Sequence, residues 1–335
     1  MFKSRSTALA VLLLLAILCI SFVEATPQNK NNQQTPRDKV MKEPEGISAD
    51  QGSGLTILDK TLTCNNLEIR MKISGPADQF TKASGVKGAA AEAGDKGKNG
   101  LMVLLHGDGG QSFTAYPNKG INEANQMGVV FLAPNDGLQW GGAPKGQQER
   151  PNGAADAQAV NDCIQKELPK LIAFDKANVQ FMGVSGGSQM LSGFFMPKFM
   201  GKYPKTGALF SCGGMAPQVE FASDAMQAIK TTRIHFESTF NELESLQETI
   251  PQSIPAYEQA AASAGLSENE INQLQTVDNA PKGGHCAFDE KSFESGVQAL
   301  TDKFVAVMSV NGNGEGFGKG VVGNENPKFG PEKRQ

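Results

Sequence analysis

Histidine is scarce in this chain of 335 residues: there are three, His106, His235 and His285. That scarcity nearly excludes a histidine-rich metal site. Basic residues are outnumbered by acidic ones, 31 to 35. The chain therefore has no excess of positive charge with which to hold nucleic acid or anionic lipid. No Asn-x-Ser/Thr acceptor occurs, so glycosylation lends no support to export. Nucleotide signatures are missing as well. Gly94 to Gly100 (GDKGKNG) does not fit the phosphate-loop spacing, and no G-x-G-x-x-G opens a helix after a strand.

Long apolar runs are lacking except at the start. Ala8 to Phe22 follows the basic residues Lys3 and Arg5 and ends at Val23-Glu24-Ala25. The run is shorter than the roughly 20 residues a spanning helix prefers, and a polar segment follows it. This is the pattern of a secretory signal peptide over residues 1–25. Its removal leaves 29 basic against 34 acidic residues, a formal charge of −5. Of five cysteines, Cys19 leaves with it. Cys64, Cys163, Cys212 and Cys286 remain, an even number in an oxidising compartment, which points to two disulfides in one of three connectivities.

Composition divides the rest. Residues 26–54, rich in Gln, Asn, Lys, Glu and Pro, are expected to be a disordered leader. Residues 311–335, rich in Gly and Asn, are expected to be a flexible tail. Residues 55–310 are of a size for one domain.

Inside that domain strands and helices alternate. Leu67 to Ile73 has period-two patterning and reads as a half-exposed strand. Leu101–Leu105 and Val129–Leu132 are continuous apolar runs, expected where both faces of a parallel sheet are covered. A helix follows over 156–171, then strands at 178–182, 208–210 and 234–236, with a helix near 219–230. Another helix is expected over Pro255 to Ala264, a weak last strand at 275–277, and an amphipathic helix from Phe293 to Met308. The alternation predicts an α/β fold, a mostly parallel twisted sheet with helices on both faces.

The chemistry-bearing segments sit at strand ends. Gly183-Val184-Ser185-Gly186-Gly187 lies between a strand and a helix, the context of a nucleophile elbow that leaves the Ser185 hydroxyl exposed above the sheet. The strand 101–105 empties into His106-Gly-Asp-Gly-Gly110, a turn whose N–H groups can converge on an oxyanion. Asp108 is assigned the donor through its backbone N–H, with Gly109 as alternative and Gly186 N–H as the second donor. A carboxylate aimed at an oxyanion would oppose the reaction, so the Asp108 side chain is expected to turn away. His285, on a glycine-bounded loop, is the expected base. His106 is assigned to its own turn, and His235 to an apolar strand as a structural imidazole.

The acid is less distinct. Asn241 stands after strand 234–236 where an aspartate is expected. Glu242 beside it is favoured, with Asp278 and Glu237 as alternatives. Trp140, in a loop after a strand end, reads either as an aromatic wall for substrate or as a loop-packing anchor. A Cys212–Cys286 bridge would brace the histidine loop; other pairings, or a buried free thiol, stay open.

With these residues in view the chain resembles secreted fungal α/β-hydrolases, in particular polyhydroxybutyrate-depolymerase-like and feruloyl-esterase-like enzymes. The likeness is carried by Leu104-Leu-His-Gly-Asp-Gly-Gly110, Gly183-Val-Ser-Gly-Gly187 and Gly283-Gly-His285. Asn152-Gly, Ala159-Val-Asn-Asp162, Arg233-Ile-His-Phe236 and Thr276-Val-Asp-Asn279 are similar to secreted proteins often labelled "cyclin-like F-box", although nothing here resembles a cyclin or an F-box. The resemblance implies carboxylic-ester hydrolysis without a cofactor. Separately, the substrate is expected to be a small or polymer-linked ester, and the chain a secreted monomer with no nucleic-acid or membrane partner after signal removal. A hydrolase-fold binding protein or effector without turnover is the rival expectation, and a peptidase on the same fold is a third.

Overall fold

Side chains on the inner strands divide by parity between two hydrophobic cores. In β4 (Gly100–Leu105), Leu101, Val103 and Leu105 enter one cluster, while Met102 and Leu104 enter the other. A fully buried strand of this kind requires cover on both faces. The first face is covered by helical segments over 153–203 together with helices Ser223–Ala228, Glu244–Ser263 and Glu268–Leu274. The second receives Val40 from helix Pro36–Lys42 and Val297, Leu300, Phe304 and Val307 from helices Phe293–Asp302 and Phe304–Met308.

The computed structural model describes residues 34–50, 52–115, 125–142, 149–309, 321–322 and 327–333. The signal peptide expected over 1–25 lies outside the described residues, as do residues 26–33 of the leader and parts of the tail.

The other strands are β1 (Gly46–Ala49), β2 (Thr56–Cys64), β3 (Leu67–Gly75), β5 (Gln126–Phe131), β6 (Val179–Val184), β7 (Gly207–Ser211), β8 (Arg233–Glu237), β9 (Gln275–Asp278) and β10 (Val321–Val322). They form one 10-stranded sheet in the order β1-β2-β3-β5-β4-β6-β7-β8-β9-β10. Pairing is parallel from β5 across to β9 and antiparallel at both ends. Strand β4 lies between β5 and β6, so chain order reverses there. In open α/β sheets the crevice at such a switch point, beyond the carboxyl ends of the strands, is where ligands bind.

The described residues of the leader and the tail depart from expectation. Residues 36–42 are helical and 46–49 pair with β2, where a disordered leader to residue 54 was expected. The cause is the outer face of β3. Arg70 donates to Val40 O at 2.9 Å and to Glu43 O at 2.7 Å, and Lys72 reaches Glu43 Oε1 at 2.5 Å. Both cations also lie over the Phe113 ring, 5.5 and 5.2 Å from its centroid. For the same reason the polar face of β3 is covered at Lys72 and partly at Arg70, while Glu68 stays exposed. Within the expected flexible tail, Val321 and Val322 pair with Val277 and Thr276, and Gly330 N–H bonds Phe240 O at 2.8 Å.

Other differences are local. Strand β2 was not expected; its few apolar residues are interrupted by Asp59 and Lys60. Helix Glu244–Ser263 begins upstream of Pro255 and contains Pro251 and Pro255. Burial of Leu246, Ile250 and Ile254 against the sheet overrides the tendency of proline to start a helix. The last helix breaks at Lys303.

Two disulfides join the described residues. Cys64 at the end of β2 bonds Cys163, 99 residues away, beyond helix Gly153–Asp162. Cys212 bonds Cys286. The first closes a long loop remote from the histidine loop. Replacing Cys64 and Cys163 together by Ser is expected to lower unfolding stability by about 2–5 kcal/mol, measured by urea denaturation. A change below about 0.5 kcal/mol would show that the cross-link does not restrict the unfolded chain.

Candidate active site

Strand β6 ends at Val184, and the chain turns at Ser185 with φ 52° and ψ −115° before entering helix Gly186–Met190. A non-glycine residue in such a conformation is strained by about 1–3 kcal/mol and persists only where its surroundings enforce it. Here Ser185 N–H is held by Ser211 O at 2.9 Å, and Ser185 O accepts from Gln189 N–H at 3.1 Å. Gly187 is required by close approach, since a Cβ there would stand 2.0 Å from Leu105 O. Bringing β4 this near to the elbow places the His106–Gly110 turn beside Ser185.

The structure brings Ser185, His285 and Glu242 together. His285 Nε2 lies 2.9 Å from Ser185 Oγ, and Nδ1 lies 2.5 Å from Glu242 Oε1. Since the carboxylate can only accept, Nδ1 carries the proton and Nε2 is left to accept from the serine hydroxyl. The Glu242 side chain is fully buried, and Oε1 also accepts from Leu243 N–H at 2.8 Å. His285 is more open, with 17% of its side chain exposed.

Three loops carry these groups, and each is tied to a neighbour. Asn241 does not point at the imidazole; its amide donates to Lys282 O at 2.9 Å and joins the acid loop to the histidine loop. Phe240 N–H bonds Pro281 O at 2.6 Å. The disulfide Cys212–Cys286 fixes the residue after His285 to the end of β7, where Cys212 N–H bonds Glu237 O at 2.7 Å. Cys212, His285 and Cys286 place three ligand-type atoms within 4.8 Å of one another. With both sulfurs in a disulfide, no thiolate is present there to bind a metal.

The alternative acids are engaged elsewhere. Glu237 Oε2 lies 3.0 Å from His235 Nε2, and Asp278 Oδ1 accepts from Ala280 N–H at 2.8 Å. Burial, and for Glu237 the neighbouring Asp278 charge, push both carboxyls upward.

The other two histidines are saturated. His106 Nδ1 is 2.7 Å from Gly107 O, and Nε2 accepts from Ala133 N–H at 2.9 Å. His235 lies between Thr276 Oγ1, 2.7 Å from Nδ1, and Glu237. Each is enclosed, and burial lowers them to about 4 and about 3.

In the His106–Gly110 turn, Gly109 N–H, the alternative donor, is taken by Leu138 O at 2.8 Å. The Asp108 carboxylate faces Arg150, with Nη2 to Oδ2 at 2.8 Å. Trp140 requires a correction: it is fully buried, and its indole N–H donates to His106 O at 3.1 Å. It anchors the oxyanion turn from beneath and presents no wall to a substrate. An aromatic ring beside the site is Phe293, 5.5 Å from the His285 ring; a Cβ on Gly107 would come within 3.3 Å of it. Phe293 and Arg150 were not expected here. Phe293 reads in the sequence as an apolar position of the last helix, and Arg150 belongs to no motif.

No protein-family model and no curated protein matches the chain. Solved structures do. A thermostable esterase shares 16% identity at a TM-score of 0.47, over 72% of this chain and 58% of its own length. The carboxylesterase of Bacillus cereus shares 15% at 0.42, over 64% and 91%. The feruloyl esterase module of Clostridium thermocellum shares 12% at 0.44, over 74% and 86%. The strand order, with the His106–Gly110 turn after β4, the Ser185 turn after β6 and the His285 loop after β9, is that of an α/β-hydrolase fold.

The neutral, doubly bonded histidines have a consequence for pH. A histidine lowered on folding contributes stability that is complete above about pH 6.5 and is withdrawn as pH falls towards its folded value. For His106 the withdrawal amounts to about 3 kcal/mol by pH 4. In an NMR titration the imidazoles of His106 and His235 are expected to stay neutral at pH 5. A charged imidazole at either position, in folded protein at that pH, would contradict the geometry.

Proposed function

We propose that the protein is a serine hydrolase that cleaves carboxylic esters through an acyl-enzyme. The observation that carries this is a single imidazole suspended between the hydroxyl of a strained elbow serine and a fully buried carboxylate. A serine hydroxyl is unreactive until a base lies within hydrogen-bond reach, and this arrangement supplies one.

In the proposed reaction Ser185 Oγ attacks the ester carbonyl while its proton passes to His285 Nε2. Glu242 holds the imidazole in the required tautomer and stabilises the imidazolium that forms. The carbonyl oxygen, now anionic, lies against the N–H groups of Asp108 and Gly186. The proton on Nε2 is delivered to the departing alkoxide, giving alcohol and acyl-Ser185. Water, deprotonated by the same nitrogen, then releases the carboxylic acid and restores the serine. This chemistry calls on no cofactor. Phe293, half-buried beside His285, is the proposed wall for the acyl or alcohol group. The substrate is proposed to be a small or polymer-linked ester.

Export is proposed on the basic-then-apolar start of the chain and agrees with the two disulfides. Among the described residues no helix is long and apolar enough to cross a membrane. We propose that the exported chain acts as a monomer.

A fluorophosphonate probe is expected to label Ser185 in the intact protein, and Ser185→Ala to abolish labelling while the fold is kept. Turnover of a p-nitrophenyl ester should fall at least about 10³-fold in that variant, leaving the oxyanion-hole residual. Faster cleavage of peptides than of esters would instead favour a peptidase, and no labelling would favour a binding protein. Glu242→Gln is expected to cut kcat by about 10²–10⁴, with Asp278→Asn nearly silent. The reverse pattern would move the acid to β9.

A further inference from the structure

Arg150 makes a dense set of polar contacts beside the site, although no motif singles it out. Its guanidinium grips both oxygens of Asp108, with Nη1 to Oδ1 at 3.1 Å and Nη2 to Oδ2 at 2.8 Å. Nη1 donates to Trp140 O at 2.6 Å, and Nε to Gln189 Oε1 at 3.1 Å, an oxygen that Nη2 also meets. The Arg150 side chain is 2% exposed, against 28% for Asp108. A planar fork satisfied on this many sides has one position open to it.

Three elements of the site meet at this group. Asp108 belongs to the oxyanion turn. Trp140 supports that turn through its bond to His106 O. Gln189 lies in the first turn of the elbow helix, and its N–H bonds Ser185 O. The gripped carboxylate also stands directly against the elbow, because a Cβ on Gly186 would lie 2.0 Å from Asp108 Oδ1. The residues that offer the two proposed oxyanion donors are therefore in contact, with a carboxylate between them. An uncompensated negative charge there would oppose the oxyanion that the donors are meant to stabilise.

We infer that Arg150 is a positioning residue of the oxyanion hole. It neutralises the Asp108 carboxylate, turns it from the reacting carbonyl, and locks the Asp108 N–H in register with the elbow. This rests on the hydrolase reading above. A clamp serving the fold alone would affect stability but not the chemical step selectively.

The test measures kcat and KM on a p-nitrophenyl ester for wild type, Arg150→Met, Arg150→Lys, Asp108→Asn and Arg150→Met/Asp108→Asn, with thermal melting of each. Arg150→Met is expected to lower kcat about 10- to 100-fold with KM little changed, short of the about 10²–10³ that follows outright loss of a donor. Arg150→Lys should recover part of that loss. Adding Asp108→Asn, which removes the charge but keeps the N–H, should return kcat towards that of Asp108→Asn alone. Affinity for an arylboronic acid, which forms a tetrahedral anion on the serine, should follow kcat. If Arg150→Met does not fold, Arg150→Lys with and without Asp108→Asn carries the same comparison. An unchanged kcat, or a loss that Asp108→Asn does not relieve, overturns the inference. A wild-type chain that neither turns over esters nor labels at Ser185 overturns the hydrolase reading, and the inference with it.

Discussion

One imidazole, held by partners 43 and 100 residues away in the chain, is what the site depends on. A loop by itself does not keep a side chain in such a position, because loop backbone is the least constrained part of a fold. Here the constraint is distributed. The disulfide to Cys212 fixes the residue after His285, the Asn241 amide fixes Lys282, and Phe240 N–H fixes Pro281. The histidine loop is bolted to β7 and to the acid loop on both sides of its imidazole. The two hydrogen bonds join the loops that follow the paired strands β8 and β9, and the disulfide reaches across β8 to the end of β7.

The same economy governs charge. Polar groups buried around the carboxyl ends of the strands would be costly unless paired or neutral. His106 and His235 stay neutral because burial penalises the charged ring, and each ring nitrogen has a hydrogen-bond partner. Glu237 and Asp278, adjacent across β8 and β9, are pushed towards their protonated forms. Glu242 and Glu237 each meet an imidazole, but the partner of Glu242 is His285, whose other nitrogen faces Ser185, while the partner of Glu237 is the enclosed His235. The Asp108 carboxylate is matched by a guanidinium in the same way.

Packing explains why the terminal segments belong to the fold. Polar residues on β3 look like an exposed face when the strand is viewed alone. Arg70 and Lys72 instead draw in the carbonyls and carboxylate of residues 40–43, and that pairs β1 with β2. At the other edge, β10 and the chain around Gly330 lie against β9 and the acid loop. Composition marks both segments as disordered because it registers apolar content. What holds their described residues in place includes long-range hydrogen bonding and ion pairing.

Local pattern was enough for the parts whose cause is local. The apolar runs at 101–105 and 178–182 specify buried strands, and glycines around Ser185 specify a sharp turn between strand and helix. Scarcity of histidine left few imidazoles to consider, and the glycine-bounded loop pointed to His285. Tertiary structure alone decided the rest. Glu242 rather than Glu237 or Asp278 meets the imidazole because of where the loop after β8 is tied. Trp140 is buried beneath the oxyanion turn, and Phe293 takes the place beside His285, because the helix after the histidine loop returns over the site. Arg150 lies among Asp108, Trp140 and Gln189 because loops distant in sequence converge at the carboxyl ends of β4 and β6. A periodic pattern reports which face of an element is buried. Which residues of different elements touch is determined only when the sheet brings their ends together.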